Sequence, residues 1–166
     1  KAAKSFISSP NFTAKVEYFG ISDLNIGLSG YFGKTQSTLY DGIERDNDKA
    51  LATADSSVVD IAMIGADMRY SVKGLKLSGQ FYYNGLSNTN EYNEFTADKE
   101  GGDLGSSMFG YYADLGYNVF RGLDTDKKLI PFVRYSNYDT HYSVESIAKN
   151  KAYQKDVFTT GLSLYF

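Results

Sequence analysis

Apolar and polar residues alternate with a period of two over much of the chain, in segments bounded by Gly, Asn, Asp and Ser. That period predicts strands with one apolar and one polar face. The segments fall at residues 12–20, 24–34, 59–72, 75–86, 108–119, 129–141 and 156–166. In the second, Leu24, Ile26, Leu28, Gly30 and Phe32 alternate with Asn25, Gly27, Ser29, Tyr31 and Gly33. In the fourth, Leu75, Leu77, Gly79, Phe81 and Tyr83 oppose Lys76, Ser78, Gln80, Tyr82 and Asn84. The run TADSSVVDIAMIGADM can be drawn as a helix with an apolar face. Its paired β-branched residues and the alternation of Asp67, Arg69 and Ser71 favour a strand instead. No long helix is predicted.

The connections add a second regularity. Residues 21–23 and 73–74 are very short links and 120–128 a moderate one, whereas 35–58, 87–107 and 142–155 are long and polar. Short and long alternate, so every long connection falls at one end of the strands. Strands of about 9–11 residues, one apolar face, one-sided long loops and tyrosines near strand ends together predict an all-β, antiparallel transmembrane β-barrel. A soluble β-sandwich that acts as a binding module remains the alternative from outside the membrane class, since it too buries one face and wets the other.

Charge then assigns the faces. An Arg facing lipid at the bilayer midplane costs about 2–4 kcal/mol, so the charged residues within strands are expected to point inward. Lys15, Glu17, Asp67, Arg69, Lys76, Asp114 and Arg134 are the pore-lining candidates, with Val16, Tyr18, Val133 and Tyr135 outside. Their mixed signs predict a graded electrostatic bias rather than a strict ion filter.

Composition narrows the picture mainly by exclusion. Among 166 residues there are 15 Tyr, 11 Phe and 16 Gly but no Cys or Trp, so a disulfide framework and a thiolate metal site are both ruled out. The 17 basic and 20 acidic residues are interspersed and leave a formal charge of -3, which argues against a general nucleic-acid surface. No apolar run reaches the roughly 20 residues of a membrane helix.

Longer runs carry a resemblance. NFTAKVEYFGISDLNIGLSGYFGK, GADMRYSVKGLKLSGQFYYNG, FGYYADLGYNVF and LIPFVRYSNYDTH resemble adjacent strands of bacterial outer-membrane porins related to the phosphate-selective porin group, over most of residues 12–166. The resemblance implies an outer-membrane diffusion channel for small hydrophilic solutes or ions, surrounded by outer-membrane lipid and forming a homotrimer or other membrane complex. It also implies that Arg69 and Arg134 belong to the lumen, and it leaves the solute undefined. The ending TGLSLYF is similar to the terminal signal of such proteins, yet the strand that usually follows it in the family is absent. Single-chain bacterial barrels have an even number of strands. Seven strands therefore predict a C-terminal-region fragment of a larger barrel, completed by strands from another chain or fragment. A complete eight-stranded barrel without a pore is the alternative within the membrane class.

No catalytic constellation accompanies this pattern, and no cofactor is expected. His141, the sole histidine, is read as an exposed loop residue, and Asp139 beside it defines no metal geometry. Glu44, Asp46 and Asp48 lack the calcium-loop spacing and read as a solvated acidic loop. The glycines around Gly27 and Gly30 lie within a strand and lack the helix and Lys of a phosphate loop.

Overall fold

The computed structural model describes residues 10–35, 39, 42–44, 46–97 and 102–166. The strands are β1 (Phe12–Ile21), β2 (Leu24–Thr35), β3 (Val59–Val72), β4 (Leu75–Ser87), β5 (Ser107–Tyr117), β6 (Lys128–Ser143) and β7 (Gln154–Tyr165). They form one antiparallel sheet in sequence order. Two helices sit in the long connections, α1 (Asp48–Ser56) between β2 and β3 and α2 (Thr89–Thr96) between β4 and β5.

Local chemistry sets the ends of these elements. The β3–β4 link is Lys73-Gly74, with φ of 47° and 85°. Two consecutive positive-φ residues give the backbone twist that suits a two-residue hairpin. The Asn47 side chain caps α1 by accepting from the Ala50 amide at 3.1 Å, and Asp48 adds negative charge to the first turn. Asn88 takes a positive φ of 63° ahead of α2. Its amide group donates to the carbonyls of Ser56 at 2.6 Å and Val58 at 2.9 Å, tying the two helix-bearing connections together.

The register places the apolar residues on one face. Val16 is opposite Leu28, Leu28 opposite Ala66, Ala66 opposite Phe81, and Phe81 opposite Tyr111. The packed interior lies elsewhere. Leu39, Ala54, Ser57, Val59, Thr89, Asn93, Ser107, Asn137, Asp139 and His141 are all buried, and they lie in or beside the long connections. Ile130, near the other end of the strands, is the remaining buried hydrophobic residue among those described.

Three expectations are corrected here. The closed barrel is replaced by an open sheet, because β1 pairs only with β2 and β7 only with β6. The acidic stretch read as loop contains a helix: Asp48 starts α1, and the TADS portion of the ambiguous run completes it before β3 begins. His141 is not an exposed loop residue, since β6 extends to Ser143 and leaves the histidine only 3% exposed. An eighth strand would have to lie in residues 1–11; of these only Pro10 and Asn11 are among the described residues, and they precede β1 without being part of a strand.

Candidate functional site

The face opposite the apolar one carries a cross-strand ladder of polar side chains. Asn25, Arg69, Ser78, Asp114, Arg134 and Thr159 are successive register partners across β2 to β7. Strand alternation puts every second residue on this face, and the two-residue β3–β4 hairpin fixes the register that brings Arg69 beside Ser78.

Two clusters form on the ladder. Near β1, Lys15 Nζ lies 3.1 Å from Glu17 Oε1 and 3.3 Å from Asp67 Oδ2. Hydrogen bonds to Glu17 first and Asp67 second hold the Lys15 ammonium above its ordinary range. Arg69 approaches Asp67 at 4.0 Å while its side chain remains 68% exposed. Near β5 and β6, Arg134 grips Asp114 through both carboxylate oxygens, at 2.5 and 2.7 Å. The Ser78 hydroxyl donates to the same carboxylate at 3.0 Å. The Arg134 guanidinium holds the Asp114 carboxyl below its usual range, with Ser78 acting in the same direction against partial burial. Arg134 also stacks 4.5 Å from the Tyr112 ring centre, and Lys76 Nζ stands 5.4 Å from that of Tyr165.

Between these cations lies an open depression of about 230 Å³, lined in part by Lys76, Ser78, Asp114, Arg134, Ser163 and Tyr165. Lys76 forms no ion pair among the described residues, so its ammonium, beside the depression, and the exposed Arg69 guanidinium are cations of this face open to a ligand. Asn25 Oδ1, Asp67 Oδ1 and Asn84 Oδ1 are covered acceptors whose hydrogen bonds the protein itself does not make. The surface can therefore bind polar groups through donors, acceptors and tyrosine rings. No cluster of three or more metal-ligating side chains occurs among the described residues.

All seven charged candidates named from the sequence fall on this face. Lys15, Glu17, Asp67 and Arg69 come together in one cluster, Asp114 and Arg134 in the other, and Lys76 stands beside the second. Ser78, Tyr112, Ser163 and Tyr165 were not singled out, although each lies at an even-numbered spacing from a named residue or at a strand end. Register arithmetic from the Lys73-Gly74 turn would have placed Ser78.

No protein-family model matches the chain, and no solved structure matches it. One similar protein is an uncharacterized protein of Aquifex aeolicus (strain VF5), 42% identical over 57 residues. The match covers 34% of this chain and 13% of that protein.

These findings overturn the porin reading. The resemblance to the phosphate-selective porin group finds no support in any family or structural match. An open sheet encloses no lumen within this chain, and the channel function falls with the barrel. The outer-membrane location, the surrounding lipid, the completing barrel strands and the homotrimer all rested on that closure. In hydrocarbon, the unpaired edge amides and carbonyls of β1 and β7 would lose water without gaining partners. No helix among the described residues is long and apolar enough to cross a membrane, a fact that concerns helices alone.

Proposed function

We propose that the chain is a non-catalytic binding module built on one open antiparallel sheet, presenting its polar face to small hydrophilic ligands. The observation that carries this reading is the ladder itself: charges, hydroxyls and tyrosine rings converge from six strands on one side of the sheet. Lys76 and Arg69 offer donors, while Tyr165 offers a flat ring beside Lys76 and Tyr112 one beside Arg134. Such a mixture suits ligands that carry hydroxyl or carboxylate groups on a compact frame. The acidic groups of this face are engaged by cations rather than poised as a free acid–base pair, which supports binding over turnover.

The test is a titration of isotope-labelled protein with neutral oligosaccharides and with small hydroxy-carboxylates, read by amide chemical shifts. Ligand-dependent shifts should concentrate at residues 69–78, 112–114, 134 and 163–165. Lys76→Ala should weaken binding by about 5–10-fold, as expected for loss of one charge-assisted hydrogen bond. Shifts confined to the apolar face, or none with either ligand class at millimolar concentration, would remove the proposal.

A further inference from the structure

We propose that the apolar face is an interface occupied by a second copy of this chain, packed sheet against sheet. The inference rests on the binding-module reading above, since packing the apolar faces together turns both polar faces outward.

The first argument is area. The chain exposes 11532 Å², whereas a compact monomer of 18.4 kDa is expected to expose about 8,200 Å². The surplus is a few thousand Å². Val16, Leu28, Ile64, Phe81, Phe158 and Leu162 are between 43% and 71% exposed, and all lie on the apolar face. Seven strands spaced about 4.8 Å apart, each about ten residues long, make a face of roughly 1,100 Å². Two such faces together bury on the order of 2,200 Å², which is the range of obligate dimers.

The second argument is shape, and it selects a second copy. A two-fold interface must be self-complementary. On the three central strands, two adjacent rows of this face are complementary in size: Ala66, Phe81 and Tyr111 belong to one, and Met68, Gly79 and Ala113 to the next. A two-fold axis running across the strands between these rows sets each row against the other row of the partner copy. Ala66 then meets the partner's Met68, Phe81 meets the partner's Gly79, and Tyr111 meets the partner's Ala113. These three central pairings each join a large residue to a small one, as interdigitating sheet faces require, while on β2 the same operation sets Leu28 against the partner's Ile26. The same operation keeps the strands aligned.

Charge agrees with that placement. The two rows carry no charge from β1 to β6; the one charge on them, Asp156, is on the edge strand β7, and the face's Lys34–Asp60 pair lies at its loop-end rim. Both edge strands carry charged residues, Lys15 and Glu17 on β1 and Lys155 and Asp156 on β7. Edges marked in this way suit exposure to water, leaving the face rather than the edge as the contact.

The test uses the full chain in detergent-free buffer. Sedimentation equilibrium should give twice the 18.4 kDa chain mass. Phe81→Lys, which places a charge in the centre of the contact, should weaken self-association at least 100-fold, while Gln80→Lys on the opposite face should leave it unchanged. Should Phe81→Lys fail to fold, a nitroxide attached at Gln80→Cys in this cysteine-free chain supplies the alternative readout. Gln80 lies between the two rows, so dipolar spectroscopy should report a label-to-label distance of roughly 20–30 Å across sheets about 10 Å apart. A monomer at all concentrations, an open-ended polymer, or labels beyond 50 Å overturns the proposal. So does a monomer that partitions into phosphatidylcholine vesicles, which would assign the face to lipid. The ligand titration reads the polar face separately: dimerisation without ligand shifts, or ligand shifts in a monomer, shows which of the two readings has failed.

Discussion

The two halves of β6 face the same side of the sheet with opposite chemistry. Val133 and Tyr135 are 40% and 42% exposed, whereas Asn137, Asp139 and His141 are buried. The difference follows what covers them. At the loop end, residues 103–107 and the connection before β7 fold back over the strand. The His141 ring meets the Asp103 carbonyl through Nε2 at 2.5 Å, Asn150 N–H through Nδ1 at 3.4 Å, and the Tyr153 ring at 4.2 Å between centres. Asp139 accepts from the His141 amide at 2.8 Å and pairs with Lys149 at 3.1 Å. Where the connections cover β6, its buried side chains Asn137, Asp139 and His141 are polar and hydrogen-bonded. Where they do not, Val133 and Tyr135 stay open. Burial in this molecule is thus decided by the connections rather than by hydrophobicity.

Removing the histidine should break that contrast most strongly. His141→Ala deletes two hydrogen bonds and a stacked ring from a buried position, and should destabilise the loop end by about 3 kcal/mol. Hydrogen exchange would check it, with protection lost at residues 103–107 and 142–153 while β1 to β4 keep theirs. Uniform loss across the sheet would show that the two regions are one cooperative unit and that the contrast has no energetic meaning.

A pair of glycines sharpens the same comparison. A Cβ on Gly105, in the loop-end layer, would lie 2.5 Å from the Thr140 carbonyl oxygen and 3.3 Å from His141 Cα. Those are main-chain atoms that cannot swing aside, so Gly105→Ala should destabilise by about 2 kcal/mol. On the apolar face, a Cβ on Gly30 meets nothing closer than 3.8 Å. Gly30→Ala should fall within about 0.5 kcal/mol of wild type. Equal losses in urea denaturation, at one fixed protomer concentration, would contradict the reading of a packed end and an open face.

The open part was far more legible in the sequence than the packed part. Period-two alternation located all seven strands and put the seven named charges on one face, because parity is preserved through each strand. It could not say what lies against the apolar face, since lipid, a second sheet and a second copy all demand the same alternation. The closed barrel was inferred at that point and is absent. The loop end failed for another reason. Asn137 and Asp139 fall within the expected strand 129–141 and His141 at its end, but nothing in their alternation says that a connection folds over them. The helix α1 is short, and its signal is little more than Asn47 as cap, Asp48 in the first turn and the Ala-rich run after them. The site was legible as charges but not as contacts: Ser78 and Tyr112 join it through register, which composition does not reveal.

On the polar face, an intermediate effect is expected. Arg134→Ala leaves Asp114 with only the Ser78 hydroxyl, but the Arg134 side chain is 42% exposed and water screens much of the pair. The loss should be about 1 kcal/mol near neutral pH. Its pH dependence has a definite sign. Because Arg134 lowers the folded-state value of Asp114, the carboxylate contributes stability above the ordinary carboxylate range and loses it as pH falls through the lowered value. Wild type and Arg134→Ala should therefore converge in stability under strong acid and diverge on return to neutrality. Divergence that grows toward acid would show that Asp114 is not the partner responsible.

The smallest effect belongs to the rim of the apolar face. Lys34 Nζ and Asp60 Oδ1 are 3.1 Å apart, yet their side chains are 50% and 51% exposed. A pair so open to water gains little after the entropy of holding a long side chain is set against it. Lys34→Ala should change stability by no more than about 0.5 kcal/mol, with the difference vanishing in high salt. The Ser87 hydroxyl, 3.3 Å from Asp60 Oδ2, would still satisfy the remaining carboxylate. The comparison with the loop end is then one of burial at equal distance, because Lys149 and Asp139 are also 3.1 Å apart but Asp139 is only 3% exposed. Lys149→Ala should exceed Lys34→Ala severalfold and persist in high salt, since a buried carboxylate stripped of its cation keeps its desolvation penalty. Denaturation of both variants at low and high ionic strength decides the matter. Equal, salt-sensitive losses would mean that the loop end is no drier than the rim.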